Sequence, residues 1–427
     1  MGGVRFGVKW AGTFGLMVGR WFSKPRGMLA KGYFTASYVS SVDDTEQPFA
    51  LWVPLSYSRR KAYPLMVVLH GSDADHRMIP EECFEMHEGG FREDVIVLSP
   101  FGRGDIDYRG PGEMDLWEAM RWVKERYRVD ARRQYLTGLS LGGYAAWQLA
   151  CEYPEQWAGI APVCGGGDVK AVAAMKSVPV WCVHGEYDDV VPVENARRMV
   201  DALKLAGGKV RYDELRGWGH NSWEWLYDPA RKKDSLAEWF LTHRKSKVPQ
   251  PVLAPKRRGT FMDLFSERVI ITYPAHSPVP REVEMLRQQA ERLARFSWGE
   301  NTMRAGHLLV RSDVELTAAE VAQANVIALG RSDNHAWLKR AERKLVARHV
   351  KGQLQVDRQP YLGKSLLALT MQQSPWSKEN LLGVLTYQQF RQMKDIAHFV
   401  LNRLGSLTAV NVYDTAENKF LMTKELL

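Results

Sequence analysis

The stretch Gly138-Leu139-Ser140-Leu141-Gly142-Gly143 constrains this chain more than any other. It follows a strand-like run, Gln134 to Thr137, directly. A serine with glycine at both second neighbours fits a strand-to-helix turn too tight for side chains at positions 138 and 142. Such a turn holds a hydroxyl above the edge of a sheet, at the start of a helix, where a base can reach it. The pattern alone is common, so its meaning rests on what else the chain supplies.

Two later stretches supply an acid and a base. Val180 to Pro192 is an apolar strand that ends at His184-Gly185 and runs into a loop with Glu186, Asp188 and Asp189. Arg216 to Asn221 is a glycine-rich loop carrying His220, after the strand-like Lys209 to Leu215. The order serine, acid, histidine is that of a triad on a parallel sheet. Serine is a weak nucleophile until an imidazole takes its proton. The imidazole in turn needs a carboxylate to fix its tautomer and stabilise its cation. An oxyanion also needs two preorganised N–H donors. Leu141, just after the serine, offers one. The apolar strand Leu65 to Leu69 runs into His70-Gly71-Ser72, where Ser72, or else Asp73, offers the other. His70 is expected to shape that turn from inside it rather than to act as a base.

On these residues the chain, from about 30 to 245, resembles an α/β-hydrolase of the prolyl-oligopeptidase-like and polyhydroxybutyrate-depolymerase-like esterase group. The matching stretches are Tyr63 through Gly71, Tyr135 through Gly143, His184 to Pro192, and Gly219-His220-Asn221-Ser222-Trp223. The resemblance implies Ser140, Asp188 and His220 as the triad, because His-Gly-x-x-Asp-x-x-Val-Pro places the acid at 188. It also implies ester or peptide acyl transfer through an acyl-enzyme. No cofactor and no metal is expected. One departure is Ser72-Asp73-Ala74-Asp75, where many relatives have a further glycine. It bears on the second oxyanion donor and not on the triad.

The rest of the first half alternates strands and helices. Strands are expected at Phe49 to Pro54, Leu65 to His70, Val95 to Pro100, Gln134 to Thr137, Gly159 to Cys164, Val180 to Gly185 and Lys209 to Leu215. A helix is expected over Asp115 to Tyr127, with Leu116, Ala119, Met120 and Val123 at helical spacing. The fold class is α/β, with a doubly wound, mostly parallel sheet and its site at the strand C-termini. The expected organisation is an N-terminal segment, 1–29; a catalytic domain, 30–246; a Pro- and Arg-containing linker, 247–260; and a smaller C-terminal α/β domain, 261–427. That last part reads as Rossmann-like or flavodoxin-like. Its strands are expected at Val269 to Tyr273, Val326 to Leu329, Ser365 to Met371, Leu381 to Thr386 and Leu407 to Val412. Its helices are expected at Arg281 to Phe296, His335 to Leu345 and Arg391 to Leu404. It has no GxGxxG and no phosphate loop.

Charge adds little. The net charge is +9, and residues 251–427 hold 25 Lys and Arg against 17 Asp and Glu. That excess is spread out, which reads as a solvated surface, so neither nucleic acid nor membrane is expected as a partner. Lys256, Arg257 and Arg258 form the densest cluster and are read as ordinary linker residues. The C-terminal domain is expected to pack on the catalytic one or to form a homo-oligomer. Cys83, Cys151, Cys164 and Cys182 have no metal spacing and read as free thiols. Trp10 to Val18, after Arg5 and Lys9, is a weak signal-like stretch, which leaves export and a cytoplasmic location both open.

The substrate is expected to be a small-molecule or polysaccharide-linked ester, with Trp218 and Trp223 beside His220 as candidate stacking surfaces. A feruloyl or acetyl esterase is the leading reading. A serine peptidase of the oligopeptidase type and a binding protein with a dead site are the alternatives.

Overall fold

The computed structural model describes residues 29–88, 91–92, 94–231, 234–295, 308–401, 403 and 406–425. The signal-like stretch lies outside them.

Tyr63–Leu69 is buried at all seven positions. A strand without an exposed face belongs in a sheet covered on both sides, which is the environment of parallel strands. The sheet has eight strands: β1 (Gly32–Val39), β2 (Glu46–Val53), β3 (Tyr63–Leu69), β4 (Ile96–Pro100), β5 (Val129–Leu139), β6 (Gly159–Val163), β7 (Val180–Gly185) and β8 (Val210–Leu215). Their order is β1-β2-β4-β3-β5-β6-β7-β8. β2 is antiparallel to both neighbours, and β4 through β8 run parallel. The helices include α1 (Pro111–Arg126), α2 (Leu141–Glu152), α3 (Glu194–Leu205), α4 (Trp223–Tyr227) and α5 (Leu236–Leu241).

The winding decides where the site lies. From β3 the chain goes to β4 on one side, then crosses back to β5 on the other. The carboxyl ends of β3 and β5 therefore flank a topological switch point, where a crevice opens. Leu69 pairs with Gly138 there, so His70-Gly71 and Ser140 emerge side by side.

A second sheet follows, ordered β10-β9-β11-β16-β15-β17-β18. Its strands are β9 (Val269–Tyr273), β10 (Leu309–Ser312), β11 (Asn325–Leu329), β15 (Leu366–Gln373), β16 (Leu381–Tyr387), β17 (Val410–Asp414) and β18 (Lys419–Lys424). A short meander of Ala347–Val350, Gln353–Val356 and Gln359–Pro360 supplies the three strands between β11 and β15. The four strands from β10 to β16 are parallel, as a doubly wound layer requires, while β15, β17 and β18 extend it antiparallel. The Rossmann-like reading thus describes one half of this sheet. β1, β10, β18 and the meander have no counterpart among the expected strands. Each is short, polar or at an edge, where hydrophobic periodicity is weakest.

Residues 31–427 form one compact unit. Val42 and Met114 from the first half share a buried apolar cluster with Phe261, Leu264, Phe265 and Ile271 from the second. Residues between the sheets are also tied down. Gln156 Nε2 donates to the Gln250 carbonyl at 2.6 Å, and the Lys256 amide donates to the Tyr153 hydroxyl at 2.6 Å. Arg258 corrects the reading of the basic cluster as ordinary linker residues. Its guanidinium pairs with both Glu113, which is fully buried, and Glu152, the last residue of α2. Burial raises the pKa of the Glu113 carboxyl, and Arg258 opposes that shift. Arg258→Ala would leave the Glu113 charge buried without its cation, at an expected cost of about 3 kcal/mol. A urea titration of this variant checks it, with Arg257→Ala as the comparison: an equal loss in both would show that the pair with Glu113 is not what matters.

Among the described residues, no helix is long and apolar enough to cross a membrane.

Candidate active site

Ser140 stands between β5 and α2 with φ 52° and ψ −116°. A side-chain-bearing residue pays conformational energy there, of order 1–3 kcal/mol, and keeps the geometry only where its surroundings force it. They do so here by close backbone approach. A Cβ on Gly138 would lie 2.4 Å from the Gly142 carbonyl oxygen, and one on Gly142 would lie 2.2 Å from that of Leu69. The Ser140 amide donates to the Val163 carbonyl at 3.0 Å and lies 3.2 Å from Cys164 Sγ. The elbow is thus stapled to the end of β6 as well as to β3.

His220 comes from the loop after β8. Its Nε2 lies 3.1 Å from Ser140 Oγ. Its Nδ1 lies 2.8 and 3.0 Å from the two oxygens of Asp188. Asp188 sits in the loop after β7 with its side chain fully buried. Its Oδ1 also accepts the amides of Val190 at 3.0 Å and Val191 at 2.8 Å. The other two acids of that loop are elsewhere. Glu186 accepts the Gly217 amide at 3.0 Å, and Asp189 is exposed. Asp188→Asn is therefore expected to lower turnover about 10⁴-fold by favouring the wrong His220 tautomer. Glu186→Gln and Asp189→Asn should stay within a few-fold of the parent, and a steady-state comparison of the three decides between the acids.

At the end of β3, His70 is fully buried, with Nδ1 2.7 Å from the Gly71 carbonyl and Nε2 2.8 Å from that of Phe101. It lies inside the turn, away from Ser140 Oγ in its hydrogen bonding. The Asp73 amide donates to Asp105 Oδ1 at 2.9 Å. Ser72 is exposed at the same turn, and Leu141 stands at the first position of α2. An amide in the first turn of a helix has no intrahelical acceptor and points outward along the axis.

Trp218 and Trp223 are half-buried and pack against the apolar cluster of the first sheet. Trp223 meets His220 edge to face, with ring centroids 5.4 Å apart. It braces the imidazole. Trp181 is fully buried and donates to Asp213.

Two residues next to this constellation were not among the expected site residues. Cys164, fully buried and at φ 40°, sits behind the Ser140 amide. Burial keeps its thiol far from ionising. His184, the last residue before Gly185 in β7, lies 3.1 Å from Asp188 Oδ2. The His-Gly that precedes the acid was the available signal for it. Among the described residues, only Cys164, Asp188 and His220 bring three ligand-type atoms within 4.8 Å. Within that group Asp188 and His220 hydrogen-bond one another. All four cysteines are free.

Residues 40–226 match the family described as "Putative esterase". With the serine elbow at the switch point of an eight-stranded sheet, this segment has the α/β-hydrolase fold. It is similar to the esterase group of that fold. A poly(3-hydroxyalkanoate) depolymerase C of Paucimonas lemoignei is 39% identical over 159 residues, covering 35% of this chain and 34% of that protein. A bifunctional acetylxylan esterase/xylanase of Neocallimastix patriciarum is 29% identical over 131 residues, covering 30% and 20% respectively. The chain thus spans about a third and a fifth of these relatives' lengths. A solved thermostable esterase is 30% identical, covering 50% of this chain and 64% of its own, with a TM-score of 0.44. The esterase match ends at residue 226, so the second sheet lies beyond it.

Proposed function

We propose that the chain is a serine hydrolase that cleaves carboxylic esters through an acyl-enzyme, with a carbohydrate-linked or other small acyl ester as substrate. The observation that carries this reading is the unbroken line of contacts from Ser140 Oγ through His220 to Asp188. In the proposed cycle His220 Nε2 takes the Ser140 proton as Oγ attacks the ester carbonyl. The amides of Leu141 and Ser72 hold the oxyanion. The imidazolium then gives its proton to the leaving alcohol. Water attacks the acyl-enzyme with His220 again as base, and the acid product leaves. Asp188 orients the ring throughout.

The ester reading is favoured over a peptidase because the family match and the two relatives named above are those of ester-cleaving proteins. The experiment is hydrolysis of p-nitrophenyl acetate and methyl ferulate by the full chain and by Ser140→Ala, with a proline-containing anilide alongside. Ester cleavage that vanishes in the variant supports the reading, and the ratio of the two esters reports whether the acyl site takes an aromatic group. Cleavage of the anilide alone would replace it with the peptidase, and a folded chain inert on all three would leave a binding protein.

A further inference from the structure

We propose that His184 is a positioning residue for the triad acid: a second imidazole that fixes Asp188 from the side opposite His220. The inference rests on the proposed role of Asp188.

His184 is fully buried, and its Nε2 lies between two acceptors, 3.1 Å from Asp188 Oδ2 and 2.9 Å from the Val191 carbonyl oxygen. Both are acceptors, so the ring carries its proton on Nε2; the hydrogen bond is made to the Val191 carbonyl, and Asp188 Oδ2 stands against the same nitrogen. Its Nδ1 has no hydrogen-bond partner. That agrees with a neutral ring, and burial also disfavours the cation. The contacts close a circuit. His184 holds the Val191 carbonyl, the Val191 amide donates to Asp188 Oδ1 at 2.8 Å, and Asp188 Oδ2 returns to His184. The acid turn is therefore pinned at both ends to the last residue but one of β7. Two backbone amides and two imidazoles surround the carboxylate, and this leaves it one orientation toward His220 Nδ1.

The remaining titratable neighbours are known. Glu214 lies opposite His184 on β8 and is itself paired with Arg197 of α3. Cys164, just after β6, and Tyr144 on α2 face Asp188. Of the side chains, only His184 and His220 place a nitrogen against the Asp188 oxygens among the described contacts. Removing the His184 donor would leave Oδ2 more basic and tighten its hold on a protonated His220. The acid limb of kcat/KM would then move to higher pH.

The test compares His184→Gln with His184→Asn in the full chain. Gln carries an amide nitrogen about where Nε2 stands, whereas Asn carries one about where Nδ1 stands. His184→Asn is expected to lower kcat about 10- to 100-fold, the effect of losing one hydrogen bond to a charged group. KM should change little, and the acid limb should move up. His184→Gln should restore most of kcat and return the limb toward the parent position. The low-field proton resonance of His220 Nδ1 provides a readout that needs no turnover, and it should shift in the Asn variant and return in the Gln variant. Equal behaviour of the two folded variants, or lost activity with an unmoved limb and resonance, would overturn the proposal. A parent chain inert on every ester would sink the functional reading instead, while the resonance comparison would still decide whether His184 orients the pair.

Discussion

Ser140→Ala is expected to lower ester turnover by about five orders of magnitude while the protein stays folded. The size follows from what is lost. Without Oγ no covalent intermediate forms, and the base and oxyanion donors alone retain only a small residual acceleration. Among the described contacts Oγ bonds only His220, so its removal deprives no buried group of a needed partner. Stability should change by less than about 1 kcal/mol. The measurement is active-site titration with a serine-directed phosphonate, followed by steady-state kinetics and a thermal melt of both proteins. A variant that kept more than a tenth of the parent rate would show that Ser140 is not the nucleophile. A variant that lost activity together with its melting transition would show a folding effect only.

Gly142→Ala is expected to cost at least about 3 kcal/mol and to abolish activity, although it adds a single methyl group far smaller than the changes most helices tolerate. The new Cβ would stand 2.2 Å from the Leu69 carbonyl oxygen and 2.7 Å from that of His70. Both are backbone atoms at the end of β3, in a central strand paired on both sides. No rotamer change relieves the clash, so α2 must back away from the sheet, and overpacking of this kind is among the costlier substitutions. The movement would also carry the Leu141 amide out of the oxyanion position. Gly207→Ala is the control. Its φ is +80° but nothing lies within 4 Å of the added carbon, so only the left-handed backbone is penalised, by about 1 kcal/mol. Urea titrations of the two variants should differ by at least about 2 kcal/mol. Equal losses would mean that glycine is needed at 142 for its conformation and not for the close approach.

These two residues also show why the first half of the chain is legible in its sequence. Ser140, Asp188 and His220 sit in strand-to-loop junctions, and a junction writes itself into sequence as an apolar run that stops at glycine or proline. The expected strands at 95–100, 159–164 and 180–185 match the observed ones to within a residue, and that at 65–70 to within two. β5 begins five residues earlier than expected, at Val129, because its first half carries charged side chains at the sheet margin, where alternation is lost. In the second half the apolar strands β9, β11, β15 and β16 were legible for the same reason as in the first. The polar edge β18 was not, since its burial is slight and its pairing with β17 is made by backbone groups that any sequence possesses.

The sequence by itself determined the order of the site residues and the need for a tight turn, because both are properties of neighbours along one chain. The contact of His220 with Asp188 rather than Glu186 or Asp189, the engagement of the Asp73 amide by Asp105 and the pairing of Arg258 with Glu113 and Glu152 were decided only by tertiary structure. So was the approach of His184 to Asp188. Each depends on a distance between groups from different strands or loops, set by sheet winding and packing. A hydrogen bond that holds at 3 Å is gone at 5 Å, and nothing in the local sequence records that difference.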